Sequence, residues 1–227
     1  MKKKILNILN KKRKSKIVSL TAYSKNIAEI LDKYCDIVLV GDSMANVLYG
    51  HKDTHKISLQ NIIQHTLSVK KGIKKSLLVV DMPKGSYSNK RLALKNARKI
   101  MNLTRCDAVK IESNNKNFSI IYELVKAKIP VMGHIGFTPQ FQKKFKIQGD
   151  SINSINKLLK EALTIEKAGA FSIVLECLTP KASKLITNNL KIPTIGIGSS
   201  SNCDGQILVT DDMLGMSGFY PKFVKKY

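Results

Sequence analysis

The sequence predicts an α/β protein built as a (β/α)8 TIM barrel, with a short N-terminal helix and a truncated C-terminal end. Three observations predict it. Eight runs rich in Val and Ile recur at about 16–22, 36–41, 76–81, 108–112, 130–135, 171–176, 193–198 and 206–210. Most are apolar on both faces, which is the pattern of parallel strands covered by helices. Segments with helical period lie between most of them, and acids stand where four of the runs end. Alternation alone also fits a doubly wound sheet. Eight strands with polar ends favour the barrel, which carries its chemistry at the C-terminal face.

The 227 residues predict one domain, 1–227, long enough to bury a large core. Residues 1–15 ("MKKKILNILNKKRKS") read as a basic, amphipathic helix or extension. Its apolar part is too short for a signal peptide and is followed at once by more lysines, so a cytoplasmic protein is expected. No run approaches the length of a membrane span. Strands at 16–22 and 36–41 come next. In 58–72, Leu59, Ile62, Ile63, Thr66 and Leu67 share a helical face, and Gly72 is placed to end the helix. Strands at 76–81 and 108–112 follow. The 115–127 segment repeats the helical pattern through Phe118, Ile121, Leu124 and Val125, and Pro130 opens the fifth strand. In 151–168 the face is Ile152, Ile155, Leu158, Leu159, Ala162 and Leu163, with Ser151 as N-cap and Gly169 past the end. After the eighth strand little chain remains for a final full helix.

The net charge of +23 raises the question of a nucleic-acid partner. The cations are almost all Lys, with only Arg13, Arg91, Arg98 and Arg105, and they are spread along the chain. Arg-rich phosphate contacts and interleaved aromatics are missing, so nucleic-acid binding is disfavoured. No GxGxxG follows the first strand, which argues against a dinucleotide site. Cys35, Cys106, Cys177 and Cys203 are far apart and form no CxxC pair, so reduced thiols are expected.

The acids carry the chemistry. "CDIVLVGDSM", "LLVVDMP", "AVKIES" and "IVLECL" each run through apolar residues to an acid: Asp42, Asp81, Glu112 and Glu176. Any one could simply cap the next helix. In a barrel, strand ends converge on one pocket, and converging carboxylates repel unless a cation compensates them. Asp42, Asp81 and Glu112 are therefore expected within one metal's reach, and oxygen-only ligands suit Mg²⁺. Lys110 shares a strand face with Glu112 and is either a partner for a neighbouring acid or a cation for a substrate carboxylate. His134 ends the fifth strand, and that position favours a functional role, whereas His65 lies mid-helix and is read as structural. Ser43 either caps a helix or donates to an anionic ligand. Glu176 has partly apolar neighbours that would raise its pKa and suit it to take a proton. A hard cation, a strand-borne ammonium and a separate carboxylate base suit proton abstraction next to a carbonyl.

At these residues the sequence also resembles the ketopantoate hydroxymethyltransferase (3-methyl-2-oxobutanoate hydroxymethyltransferase) family. The likeness runs through "SLTAYS", "VLVGDSMANVLYGHKDT", "LLVVDMP", "VKIE", "PVMGHIGFTPQ", "KIQG", "VLEC", "IPTIGIGS", "CDGQILV" and "PKFVKKY", and covers about residues 16 to 227. It implies a barrel of the phosphoenolpyruvate/pyruvate superfamily and Mg²⁺ held through Asp42, Asp81 and Glu112. It implies 3-methyl-2-oxobutanoate bound by Asp42, Ser43, Asp81 and Lys110. It also implies Glu176 as proton acceptor with His134 orienting the substrate or base, 5,10-methylenetetrahydrofolate as one-carbon donor, and a homo-oligomer, often a decamer. Four departures from the family pattern stand out. Lys84 replaces the usual Phe after "DMP", close to Asp81. The loop after "TPQ" is short, and Asp150 stands where a basic residue is usual. Ser200 replaces a Gly-bearing turn, which strains the backbone if that position takes positive φ. The chain stops before the family's usual end, which bears on the eighth helix and on oligomer contacts. Two other expectations stand beside this one: a Mg²⁺-dependent 2-oxo acid lyase or aldolase of the same superfamily, and a non-catalytic basic homologue.

Overall fold

The computed structural model describes residues 3–113, 117–142, 144–218 and 221–225. The elements run α1 (Lys3–Asn10), β1 (Ile17–Thr21), α2 (Lys25–Leu31), β2 (Ile37–Val40), α3 (Met44–Val47), a 3-10 turn (Thr54–Lys56), α4 (Leu59–Gly72) and β3 (Leu77–Asp81). They continue with α5 (Lys90–Thr104), β4 (Ala108–Glu112), α6 (Phe118–Lys126), β5 (Val131–Gly136), α7 (Ile152–Lys167) and β6 (Ser172–Glu176). The last four are α8 (Pro180–Asn189), β7 (Thr194–Ile197), β8 (Gly205–Leu208) and α9 (Thr210–Met213). The eight strands are parallel and close in chain order, with β8 pairing back onto β1, so the predicted (β/α)8 barrel is the observed fold.

Strand period explains the two cores. Successive side chains point to opposite faces. One alternate set (Ile37, Leu39, Leu77, Val79, Ala108, Met132, Val174) packs with Ile5 and Ile8 of α1. The other set (Val38, Val40, Leu78, Val80, Val109, Ile111, Leu175) packs against the helices. The first set fills the barrel, and α1 therefore plugs its N-terminal end. Lys12 fixes that plug through Asp204 at 2.7 Å, and Arg13 N–H donates to the same carboxylate at 3.1 Å. The basic N-terminal segment is thus part of the core rather than an appendage. Among the described residues only the four-residue α9 follows β8, and outward-facing Val18 on β1 is 46% exposed.

The helices correct three details. Gly72 is the last residue of α4, as expected, but it does not take positive φ. It lies against α2, where a Cβ would come within 2.5 Å of Lys25 O. Leu67, Ile152 and Leu163 are exposed, because the buried stripes run through Ile62, Thr66 and Val69 of α4 and through Ile155, Leu158, Ala162 and Ile165 of α7. That i, i+4, i+7 stripe leaves Leu67 on its shoulder. Ser151 and Gly169 play their expected parts: Ser151 accepts from Ser154 N–H, and Gly169 takes φ +94. All four cysteines are buried, and burial pushes the Cys35 thiol up to about 11 and Cys177 up to about 12.

The turn entering β3 hangs on one acid. Asp32 accepts from the backbone N–H groups of Lys74, Lys75 and Ser76 at 2.8–3.0 Å. Burial opposes its charge, but the N–H donors outweigh that and hold its carboxyl below the ordinary value. A depressed folded pKa contributes stability that is complete above the unfolded value of about 3.9 and is lost as pH falls through the folded value. Asp32→Ala leaves buried donors unmet and is expected to cost about 1–3 kcal/mol at pH 7. Urea denaturation should show that gap narrowing at pH values below the unfolded pKa.

Candidate active site

The barrel brings the strand-end residues to one mouth. Lys110 pairs with Asp81 across β3–β4, Glu112 with His134 across β4–β5, and Gly136 with Glu176 across β5–β6. Asp42 follows β2 directly, and its N–H donates to Asp81 Oδ2 at 3.0 Å. Asp42, Asp81, Lys110, Glu112 and His134 are all buried. None of the acids is a helix cap: the N-cap positions of α3, α5 and α6 are Ser43, Asn89 and Asn117.

Lys110 Nζ lies 2.5 Å from Asp81 Oδ1. Burial alone would lower the Lys110 pKa, but Asp81, Asp42 and Glu112 together raise it, so it stays an ammonium. The acids are less well served. Burial first, and Asp81 second, push Asp42 up to about 7. Burial and Asp42 push Glu112 well above the ordinary range. The pocket therefore carries more acid than its one lysine compensates, which suits a hard cation with oxygen ligands. The expected geometry is nonetheless absent. Among the described residues no group of three or more His, Cys, Asp or Glu side chains is arranged to hold a metal. Gln140, on the loop after β5, bridges two of these acids. Its backbone N–H donates to Glu112 Oε2 at 3.0 Å and its amide Nε2 donates to Asp42 Oδ2 at 2.9 Å. Gln140 thus spans Asp42 and Glu112.

His134 stands between Glu112 and Glu176. Its Nε2 is 3.1 Å from Glu176 Oε2 and its Nδ1 is 3.7 Å from Glu112 Oε1, but neither nitrogen meets hydrogen-bond geometry. Burial, then the Lys110 charge, lower its pKa well below the ordinary value, so the ring is neutral. Glu176 keeps 17% of its side chain exposed, and burial pushes it up to about 8. Its placement depends on Gly136, which has φ +94 and would put a Cβ 2.1 Å from Glu176 O. The next residue, Cys177, takes φ 56, a left-handed turn at which the chain leaves the strand.

Ser43 occupies the N-cap position of α3 without a side-chain cap bond; its Oγ meets Tyr23 OH at 2.8 Å instead. Lys84 is exposed, and its Nζ lies 3.1 Å from His55 Nδ1. Ser200 is not at positive φ, whereas Gly198 is, at +57, so no strain falls on the serine. Asp150 pairs with Lys146 at the surface, at 3.8 Å. His65 is structural, held between Tyr23 O at 2.8 Å and Tyr49 OH at 3.0 Å. A cavity of about 280 Å³ lies beside the site, lined by Ser113, Thr138, Gln142, Gln148, Lys157 and Glu161 among others. No role was expected for Gln140, although it stands in the "TPQ" stretch; its only signal there is a polar residue in a loop beside a strand end.

The ketopantoate hydroxymethyltransferase family model matches residues 2–227. The chain belongs to the ketopantoate hydroxymethyltransferase family. A relative from Pelagibacter ubique, a 3-methyl-2-oxobutanoate hydroxymethyltransferase, is 53% identical over all of this chain and 88% of its own length. Relatives of the same name from Anaplasma marginale and Clostridioides difficile are each 47% identical, over 98% and 100% of this chain and 82% and 85% of theirs. Among solved structures, 2,3-dimethylmalate lyase, a PEP mutase/isocitrate lyase superfamily member, superposes with a TM-score of 0.68 at 15% identity, over 95% of this chain and 84% of that one. A phosphoenolpyruvate phosphomutase from Streptomyces platensis gives 0.70 at 11%, over 91% and 79%. At such identities the likeness is one of fold. Among the described residues no helix is long and apolar enough to cross a membrane.

Gly136→Ala forces a side chain into a left-handed backbone against Glu176 O. The conformational part alone costs about 1–2 kcal/mol. A melting curve should show the loss, and activity should fall further than stability, because Glu176 is displaced.

Proposed function

We propose that the chain transfers a hydroxymethyl group to 3-methyl-2-oxobutanoate, giving ketopantoate, with Glu176 as the base. The observation that carries this is the division of labour at the barrel mouth. Three buried acids cluster around one ammonium, while Glu176 stands apart, partly exposed and beside a neutral imidazole. The family and its relatives' names support the transferase over a lyase or a non-catalytic homologue.

Lys110 would receive the substrate carboxylate, with Ser43 and Asp42 at the same rim. Glu176 takes the C3 proton, and its raised pKa matches it to that weak carbon acid. Neutral His134 orients the Glu176 carboxylate without supplying a charge that would weaken it as a base. The carbanion equivalent at C3 then forms the new C–C bond to the one-carbon unit of 5,10-methylenetetrahydrofolate. Water adds to that unit before the C–C bond forms and breaks its two C–N bonds, so tetrahydrofolate leaves with both water protons on its nitrogens and the carbon keeps the water oxygen; the proton held by Glu176 passes to that oxygen, which becomes the new hydroxyl. The donor chemistry of Asp42, Asp81 and Glu112 fits Mg²⁺, though their present spacing is set by Gln140. When bound, the cation would offset charge developing on the keto oxygen. The same proposal places the enzyme in the cytoplasm and in a homo-oligomer, as expected for the family.

An assay with 3-methyl-2-oxobutanoate, 5,10-methylenetetrahydrofolate and Mg²⁺ tests this by measuring ketopantoate. Glu176→Gln should lower kcat by about 10²–10⁴-fold with substrate affinity kept. Only deprotonated Glu176 is a base, so wild-type activity should rise with pH up to the region of 8, and the residual rate of the variant should lack that limb. Unchanged turnover in Glu176→Gln would remove it as the base.

A further inference from the structure

We propose that Gln140 is a positioning residue that sets Asp42 and Glu112 for a divalent cation, with Tyr87 holding its amide in one orientation. This rests on the proposal that a cation binds among these acids. Gln140 is 1% exposed, and its backbone N–H and both ends of its side-chain amide are engaged. The backbone N–H holds Glu112 Oε2, and Nε2 holds Asp42 Oδ2 and also Met82 O at 3.1 Å. Its Oε1 accepts from Tyr87 OH at 2.6 Å.

The orientation of the amide follows from its partners. Asp42 Oδ2 and Met82 O are acceptors, so only the NH₂ can face them. Flipping the amide would set its oxygen against both and its NH₂ against the Tyr87 hydroxyl. Tyr87 lies on the connection between β3 and α5, and it is buried. One loop thus locks another, and the two together set how far the β2 acid stands from the β4 acid.

The chemistry of the support identifies the ligand class. Gln140 engages one oxygen of each carboxylate and leaves Asp42 Oδ1 and Glu112 Oε1 outside this network. A neutral donor steadies both acids without consuming their charge. A second ammonium in its place would compensate the acids and repel a cation. Asp81 is already steadied by Lys110 and by Asp42 N–H. Outer partners of metal ligands act in this way, and losing one commonly weakens binding by about 10–100-fold.

The test is Mn²⁺ binding to the full chain, followed by electron paramagnetic resonance and calorimetry, with circular dichroism and melting curves alongside. Gln140→Leu should weaken Mn²⁺ binding by about 10–100-fold. Tyr87→Phe keeps the buried ring, removes only the hydroxyl, and should weaken binding in the same direction by a smaller factor. If Gln140→Leu fails to fold, Tyr87→Phe decides alone. Wild-type affinity, or tighter binding, in the folded variants would show that Gln140 is no support, or that it competes with the cation, and overturns the inference alone. A wild-type chain that binds no Mn²⁺ at millimolar concentration overturns the cation proposal and this inference with it.

Discussion

The mouth of the barrel depends on one ammonium, Lys110, held in a pocket rich in acid. A buried ion pair is costly to form, because both charges leave water, and it persists only where further hydrogen bonds satisfy the partners. Asp81 meets that condition, with Lys110 on one oxygen and Asp42 N–H on the other. Asp42 and Glu112 have no cation of their own and are pushed toward their neutral forms. The proposed function rests on this imbalance. In that proposal a cation and an anionic substrate bind together, since each lowers the electrostatic cost of the other.

The barrel makes that imbalance tolerable. Parallel strands in register put Asp81 next to Lys110, Glu112 next to His134 and Gly136 next to Glu176. Below them the apolar layer of Ile37, Leu39, Val79, Met132 and Val174 is closed by α1. Burial raises Glu176 and lowers His134 by the same physics, which leaves a carboxylate able to take a proton beside an uncharged ring. The two proposed roles, charge binding and proton transfer, fall on different strands.

Much of this was legible in the sequence. The eight strands were visible because strands buried on both faces are continuous apolar runs, and each observed strand falls within two residues of its expected ends. The acids were visible because a charge at the end of such a run is out of place. What stayed hidden depends on contacts between distant segments. Gln140 lies 98 residues from Asp42, and nothing local marks it as that acid's partner. Gly72 ends α4 as expected, but its close approach to α2 is not marked locally. Leu67, Ile152 and Leu163 carry the right period for burial and are exposed, since the sheet decides which stripe is covered. The single-metal arrangement of the three acids was inferred from their strand positions, and the intervening amide could not be read there.

The central claim is that this pocket removes the C3 proton of a 2-oxo acid. Proton exchange at C3 of 3-methyl-2-oxobutanoate in D₂O, with Mg²⁺ and without the one-carbon donor, measures that step alone. The account predicts exchange catalysed by the wild-type chain and abolished in Glu176→Gln. Exchange that proceeds equally well in the variant, or no catalysed exchange by the wild-type chain, would contradict it.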